Sequence, residues 1–174
     1  YRKSKVLYGL NWAKDEAVRT NEFVICEGYT DVVGFATVGV ERAVATCGTA
    51  FGSDHVKIVR RLIGDGANPA AGVMLSSGRT YGGEVIFTFD GDEAGQRAAL
   101  KAFSGDQQFV AQTYVAVEPR GMDPCDLRLA DGDAAVRELV ASRIPLYRFV
   151  LDNMLSRYDL DRGGVGPDAG LKSR

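Results

Sequence analysis

The sequence predicts an α/β fold in which a compact parallel sheet of about four strands lies between helices. Four short apolar runs have the length of strands, and segments with helical periodicity separate them along the chain. This alternation is typical of βαβ units, whose strands are parallel. The runs are apolar throughout and do not alternate with polar residues, which is typical of a sheet covered by helices on both faces.

The first third of the chain supplies two of these strands. An apolar stripe predicts an N-terminal helix over residues 4–19, and the run FVIC predicts the first strand at 23–26. A second helix is predicted at 30–38 and a second strand at 43–47. Ser53 is the predicted N-cap of a third helix.

The remainder supplies two more strands and the last helices. Strands are predicted at 84–89 and 109–117, with a helix that begins at Asp92 between them. Residues 65–83 are rich in Gly, Ala, Ser and Asn, and are predicted to form a long loop whose function the sequence does not indicate. From about residue 133 onward the chain is predicted to be helical.

Composition excludes several classes of protein. With 45% hydrophobic and 25% charged residues among 174, the chain is neither disordered nor a membrane protein, and it has no run near the roughly 20 residues that cross a bilayer. The start lacks the apolar stretch of a signal peptide. Three widely spaced cysteines without Cys/His spacing argue against zinc and favour a reducing cytoplasm. The missing initial Met and the Gly-rich end suggest a piece of a longer protein.

Carboxylates gather where the predicted strands end. Because the carboxyl ends of parallel strands share one edge, these acids should converge on a crevice there. Oxygen-only ligands favour Mg²⁺ or Mn²⁺, and a pair of such ions about 3.5–4 Å apart is the usual apparatus of phosphoryl transfer. The candidate ligands are Glu27, Asp31, Asp90, Asp92, Asp123 and Asp126.

Each of these acids also has a plain structural explanation. An Asp that follows a strand is often a helix N-cap, which applies to Asp92, while Asp31 and Asp126 alone would be solvated or capping residues. An acidic crevice also occurs in the receiver domains of signalling proteins. His55 is interpreted as a surface or capping residue.

The aromatic residues of the first helices have two interpretations as well. Tyr8, Trp12 and Tyr29 could stack nucleic-acid bases, but aromatic residues at helical spacing more often belong to the core.

Three segments resemble the signature motifs of the Toprim domain. They read VICEGYTDVV at 24–33, FDGDEAGQRAA at 89–99 and MDPCDL at 122–127. Their flanks, including KSKVLYGL before the first motif and IPLYRFVLDNML after the third, are similar to the core of bacterial DNA primases, the enzymes that make RNA primers for replication. The resemblance covers nearly the whole chain except residues 65–83.

The resemblance implies roles for individual residues. Glu27 is implied to be a catalytic metal ligand or a general acid/base, and Asp90 and Asp92 to form the catalytic pair that holds the metals. Asp31 matches a further acid of the first motif. The third motif departs from the family's Asp-Pro-Asp, because Cys125 stands where the second Asp belongs. Either Asp126 substitutes for it, or this metal position is weaker.

The resemblance also implies an activity and its partners. It implies Mg²⁺- or Mn²⁺-dependent nucleotidyl transfer from NTPs on a single-stranded DNA template, with two or more ions. Arg2, Lys3 and Lys5 would contact nucleotide or nucleic acid, and a replicative helicase would bind through a domain outside this chain. The alternatives are a Toprim topoisomerase or nuclease, and a non-catalytic nucleic-acid-binding module.

The resemblance also divides the chain into parts. Residues 1–20 are predicted to be a helical segment of the polymerase core, 21–131 the Toprim domain with 65–83 as an insertion, and 132–174 an incomplete C-terminal helical subdomain.

Overall fold

A computed structural model describes residues 5–64, 83–90, 109 and 111–156, with the side chain of Asp90 outside the description. In this part of the chain a five-stranded sheet has the order β2-β1-β3-β4-β5. The first four strands are parallel, and the short β5 runs antiparallel to β4. The strands are β1 (Glu22–Cys26), β2 (Ala43–Ala45), β3 (Glu84–Asp90), β4 (Gln112–Glu118) and β5 (Ile144–Pro145).

Six helices lie within the described residues and cover the sheet on both faces. They are α1 (Leu10–Thr20), α2 (Tyr29–Thr37), α3 (Ser53–Leu62), α4 (Pro124–Asp131), α5 (Asp133–Ala141) and α6 (Leu146–Leu155). None of these helices is long and apolar enough to cross a membrane.

The core has two layers because successive strand residues point to opposite faces of the sheet. Phe23 and Phe87 pack with residues of α1, α3 and α6 on one face. Val24 and Ile86 pack with Phe35 of α2 and with residues of α4 and α5 on the other face. The predicted α/β fold, with a mainly parallel sheet covered on both faces, is thus confirmed.

The N-terminal helix begins later than predicted. Residues 6–9 are not helical as the stripe over 4–19 suggested, because Tyr8 pairs with the edge strand β2. The Tyr8 N–H donates to the carbonyl of Ala45 at 2.8 Å, and the Ala45 N–H donates to the carbonyl of Tyr8 at 3.1 Å. Gly9 then turns the chain into α1 with a φ of 82°.

The start of α3 corrects two expectations. Gly52, not Ser53, is the N-cap, and the Gly52 N–H donates to Nδ1 of His55 at 3.2 Å. His55 is therefore a capping residue, as expected, but it is 0% exposed rather than on the surface. Its ring packs on Phe51, with 5.5 Å between the ring centroids.

Two aromatic residues expected in the core are on the surface. Trp12 is 63% exposed and Tyr29 is 61% exposed. Both rings make edge-on contacts with Tyr8, at centroid distances of 5.8 Å and 6.1 Å.

The C-terminal part turns helical earlier than predicted. Helix α4 begins at Pro124, before the expected start near residue 133, and the antiparallel β5 was not predicted. The predicted helix from Asp92 to Phe103 and the predicted loop at 65–83 lie outside the described residues, except for Gly83. The proposed domain boundary at 131/132 stays a prediction.

Candidate functional site

The candidate site lies at the carboxyl edge of the parallel strands. Glu27 follows β1 directly and its side chain is exposed there. Its carbonyl accepts a hydrogen bond from the Cys47 N–H at 3.0 Å, and the carbonyl of Cys26 accepts one from the Thr46 N–H at 3.3 Å. The chain leaving β2 is thereby tied to the chain leaving β1, and this fixes the backbone under the Glu27 carboxylate.

Asp31 lies in the first turn of α2, beside this edge. Its Oδ2 accepts a hydrogen bond from the Gly28 N–H at 2.8 Å, so the carboxylate caps the helix that follows Glu27. Burial raises the pKa of Asp31 above its ordinary value; the Gly28 N–H opposes this rise and the negative charge of Asp123 adds to it. Burial and the nearby Asp123 thus both disfavour the ionised form of Asp31.

Asp123 is the N-cap of α4. Its Oδ1 accepts a hydrogen bond from the Asp126 N–H at 2.8 Å, and Pro124 occupies the first helical turn, where no N–H is needed. The charge of Asp123 acts on Asp31, so the acid after β4 lies near the acid in the first turn of α2.

Helices α2 and α4 make the close contact that brings these acids together. The Sγ of Cys125 donates a hydrogen bond to the carbonyl of Thr30 at 3.4 Å. A Cβ added to Gly34 would lie 3.0 Å from Cβ of Pro124 and 3.1 Å from Sγ of Cys125. The glycine therefore lets the start of α4 approach α2.

Cys125 does not behave as a ligand in this arrangement. Burial raises the pKa of its thiol, and the negative charges of Asp123, Asp31 and Asp126 raise it further. The thiol therefore stays protonated and donates its hydrogen to a backbone carbonyl. Mg²⁺ and Mn²⁺ prefer oxygen ligands, so this thiol is not a suitable ligand for them. The Asp126 side chain is exposed at the first turn of α4.

The other predicted site residues are only partly described. Asp90 ends β3 and its backbone lies in register with Glu118 of β4, but its side chain is outside the description. Asp92, Arg2 and Lys3 lie outside the described residues altogether, while Lys5 is exposed. Among the described residues, no three His, Cys, Asp or Glu side chains are grouped closely enough to hold a metal ion.

Sequence reasoning missed Glu118, a buried acid at the same edge. It shares a crevice of about 10 Å³ with Glu27 and Asp31, which is room for no more than one water molecule. The sequence pattern that could have identified Glu118 is an acid at the end of an apolar run, which is the pattern that identified Glu27.

A larger cavity of about 230 Å³ opens on the other face of the edge. Glu27 borders it, together with Thr46, Thr49 and the aromatic rings of Phe51 and Phe89. Glu27 thus lies between the small acidic crevice and the larger, mainly apolar cavity.

Comparisons with known proteins show the family of the chain. The Toprim domain family matches residues 21–116. DNA primase of Streptomyces coelicolor is 53% identical over 161 residues, which are 92% of this chain and 23% of that protein. DNA primase of Mycobacterium tuberculosis is 48% identical over the same length. The chain thus spans less than a quarter of these curated relatives.

Solved structures give the same result. The crystal structure of the RNA polymerase domain of M. tuberculosis primase DnaG superposes with a TM-score of 0.77 at 45% identity, over 93% of this chain and 48% of that one. The same domain in complex with double-stranded DNA gives a TM-score of 0.75 at 47% identity, over 92% of this chain and 46% of that one. The chain therefore belongs to the Toprim domain family, and within that family its similarity is to bacterial DNA primases.

Proposed function

We propose that this chain forms the metal-binding part of a primase active site, which joins NTPs into a short RNA primer on single-stranded DNA. The observation that carries the proposal is that Glu27, Asp31 and Asp123 lie along one edge of the sheet, where β3 also ends, at Asp90. The described acids alone are not grouped closely enough to hold an ion, so the proposed site also needs Asp90 and Asp92. The similarity to primases, one of them solved with DNA, supports it. Because the chain spans 23% of its relatives' length, the activity is proposed for a larger protein.

The donor set fits a divalent cation. Asp31 and Asp123 each accept a backbone hydrogen bond as a helix cap, which holds both carboxylates in place beside the edge. Carboxylate oxygens suit Mg²⁺ and Mn²⁺ and do not suit zinc. Glu27, Asp90 and Asp92 would complete the set, with Asp126 in place of the family's second Asp. The ions would supply charge neutralisation at the phosphates of the substrate.

The chemistry assigned to the chain is an in-line displacement. The 3′-hydroxyl of the primer attacks the α-phosphate of the incoming NTP, a P–O bond forms, and pyrophosphate leaves. Glu27 is exposed at the edge, so it is within reach of a substrate either as a metal ligand or as the base that takes the hydroxyl proton.

Nucleic acid is proposed as a partner because of the basic N-terminal residues, and a helicase because of the similarity to primases. Arg2, Lys3 and Lys5 carry positive charge before α1, and such residues bind phosphates in a salt-dependent way. A replicative helicase would bind through a domain outside this chain, in the cytoplasm.

The test is the substitution Asp90→Ala, in a complete primase in which this chain replaces the matching part. Primer synthesis on single-stranded DNA should fall by more than about 100-fold, since losing even the partners of metal ligands costs 10- to 100-fold. Circular dichroism should show an unchanged fold. Asp152→Ala, at an exposed position of α6, is the matched control and should leave synthesis unchanged.

Retained priming by the Asp90→Ala protein would contradict the proposal. Relaxation or cutting of supercoiled DNA in the presence of Mg²⁺ would instead favour a topoisomerase or nuclease.

A further inference from the structure

Glu118 is a buried carboxylate whose position suggests a role beyond packing. It is the last residue of β4 and is 4% exposed. It lies in register with Asp90 of β3, and it lines the small crevice that contains Glu27 and Asp31. A buried acid at this point must be held by hydrogen bonds or ion pairs, because an isolated buried charge is costly.

The carboxylate of Glu118 folds the loop that follows it. Its Oε2 accepts hydrogen bonds from the N–H groups of Arg120 and Met122, at 2.7 Å and 3.0 Å. Its Oε1 accepts one from Nε of Arg120 at 2.9 Å. The Gly121 N–H also donates to the Glu118 carbonyl, at 3.2 Å, and Gly121 has a φ of 74°. Residues 118–122 therefore form a compact loop that is held together by the side chain of Glu118.

Arg120 extends this anchor to the far end of α4. Its Nη2 pairs with Oδ2 of Asp131, the last residue of that helix. Asp123, the N-cap of α4, follows directly after the loop that Glu118 closes. The start and the end of α4 are thus both tied to the end of β4.

Glu118 is better suited to this anchoring than to metal ligation. Three N–H donors already occupy its two oxygens. Burial alone would raise the pKa of Glu118, but the Met122 N–H and the Arg120 groups outweigh it and hold this pKa below its ordinary value. The carboxylate is therefore ionised and satisfied without an ion.

We propose that Glu118 is a positioning residue, whose carboxylate shapes the β4–α4 loop so that Asp123 stands beside Asp31 to bind a divalent cation. The proposal rests on the metal-dependent function proposed above. It assigns Glu118 no contact with substrate or metal, and its effect on the site passes through Asp123.

The test compares two substitutions of paired glutamates at opposite edges of the sheet. Glu118→Gln keeps the size of the side chain but replaces an accepting oxygen with an NH₂ group, which faces N–H donors. Glu84→Gln does the same to a residue that pairs with Arg143 at the amino edge, and it serves as the matched control. Calorimetric titration of the 174-residue chain with MnCl₂ measures the affinity, and thermal unfolding measures the stability.

Glu118→Gln should weaken Mn²⁺ binding about tenfold, as the loss of residues that orient metal ligands does. Glu84→Gln should lower thermal stability and leave Mn²⁺ affinity within about twofold of the unchanged chain. Mn²⁺ affinity unchanged by Glu118→Gln, or weakened equally by both variants, would overturn the positioning role alone. A chain that binds no Mn²⁺ before substitution would overturn the proposed metal site, and the positioning role with it.

If Glu118→Gln fails to fold, Arg120→Met decides. The Arg120 side chain is 52% exposed, so its replacement is tolerated while the anchor loses its guanidinium. This variant should weaken Mn²⁺ binding by less than the roughly tenfold expected for Glu118→Gln, because the backbone N–H groups of residue 120 and of Met122 still bind the carboxylate. Unchanged affinity would overturn the role of the anchor.

Discussion

At the scale of single residues, the charge around Cys125 limits what the site can hold. Burial is the main cause of the raised pKa of this thiol, and the negative charges of Asp123, Asp31 and Asp126 raise it further. The positive charge of Arg128 opposes these carboxylates without cancelling them. A fourth carboxylate at this position would therefore add repulsion that a cation would relieve.

Cys125→Asp tests this potential. In the absence of divalent cations the variant should be less stable, by about 1 kcal/mol, the interaction of two unit charges about 4 Å apart in a water-like medium. With saturating Mn²⁺ it should gain more stability than the unchanged chain, because the added carboxylate provides a further oxygen ligand. Thermal unfolding with EDTA and with MnCl₂ measures both effects.

Cys125→Ser is the control, since it keeps the size of the side chain and adds no charge. It should behave like the unchanged chain in both buffers. If Cys125→Asp gains no extra stability from Mn²⁺, position 125 does not face the ion, and Asp126 remains as the replacement for the family's second Asp.

Some site residues could be predicted from the sequence and others could not. Glu27 directly follows an apolar run and Asp123 follows another after a short loop, so their shared edge follows from the parallel sheet. Glu118 was missed because its burial depends on a loop that folds back on its carboxylate, and such hydrogen bonds leave no periodic pattern. The Asp123-Pro124 pair does signal a helix start, through an N-cap followed by Pro at the first helical position, and it would have placed α4 correctly.

At the scale of elements, the site depends on the contact between α2 and α4. Gly34 is buried in α2 and faces the first residues of α4. A Cβ at this position would lie 3.2 Å from the backbone nitrogen of Cys125, a backbone atom that cannot move aside as a flexible side chain can. The distance between Asp31 and Asp123 is therefore set by a glycine.

Gly34→Ala should push the two helices apart. Overpacking of this kind costs about 1–3 kcal/mol, which exceeds the gain of about 1 kcal/mol from the better helix propensity of Ala. Mn²⁺ binding should weaken as well, because Asp123 moves with α4. Chemical denaturation measures the stability and calorimetry measures the affinity.

Val33→Ala is a suitable control in the same helix, since Val33 is exposed. It should change stability by less than about 0.5 kcal/mol. A Gly34→Ala chain as stable as the unchanged one would show that α4 can shift freely, which would contradict the idea that the α2–α4 contact is tight.

The elements were predictable where local pattern and tertiary contact agree. Strands β1 and β3 have continuous apolar centres and lie in the interior of the sheet, so their predicted positions matched closely. The start of α1 was misplaced because the stripe continued into residues that instead pair with Ala45. Tyr8 instead forms backbone hydrogen bonds with Ala45, which lies 37 residues further along the chain. A contact between such distant residues cannot be predicted from the periodicity of one segment.

At the scale of the whole molecule, the two edges of the sheet have different electrostatics. At the carboxyl edge, Asp31 and Asp123 take part in none of the ion pairs of the described residues. At the amino edge, Arg143 pairs with Glu84 at the start of β3 and lies 3.7 Å from Glu22 at the start of β1. Glu22 and Glu84 at the amino edge are thus paired with a cation, and Asp31 and Asp123 at the carboxyl edge are not, among the described ion pairs.

Arg143→Met should separate stability from Mn²⁺ binding. Its guanidinium also lies 5.2 Å from the ring centre of Tyr114, and the carboxylates it serves are only 14–15% exposed. Removing it leaves the largely buried Glu84 carboxylate without this partner, while Glu22 keeps its ion pair with Arg42, at a cost of about 2–3 kcal/mol. At about 2–4 °C per kcal/mol for a chain of this size, the melting temperature should fall by about 4–12 °C. Mn²⁺ affinity should stay within about twofold, because this arginine serves the opposite edge.

Arg148→Met and a double variant complete this experiment. Arg148 is 70% exposed and 3.9 Å from Asp152, so its loss should cost less than about 0.5 kcal/mol. Adding Glu84→Gln to Arg143→Met should restore part of the stability, because it removes a charge that the first substitution left unpaired. If Arg143→Met reduces the free energy of Mn²⁺ binding by as much as it reduces the free energy of unfolding, the two edges are coupled through the strands. The acids of the carboxyl edge would then depend on the packing of the whole sheet rather than on the α2–α4 contact and the Glu118 anchor.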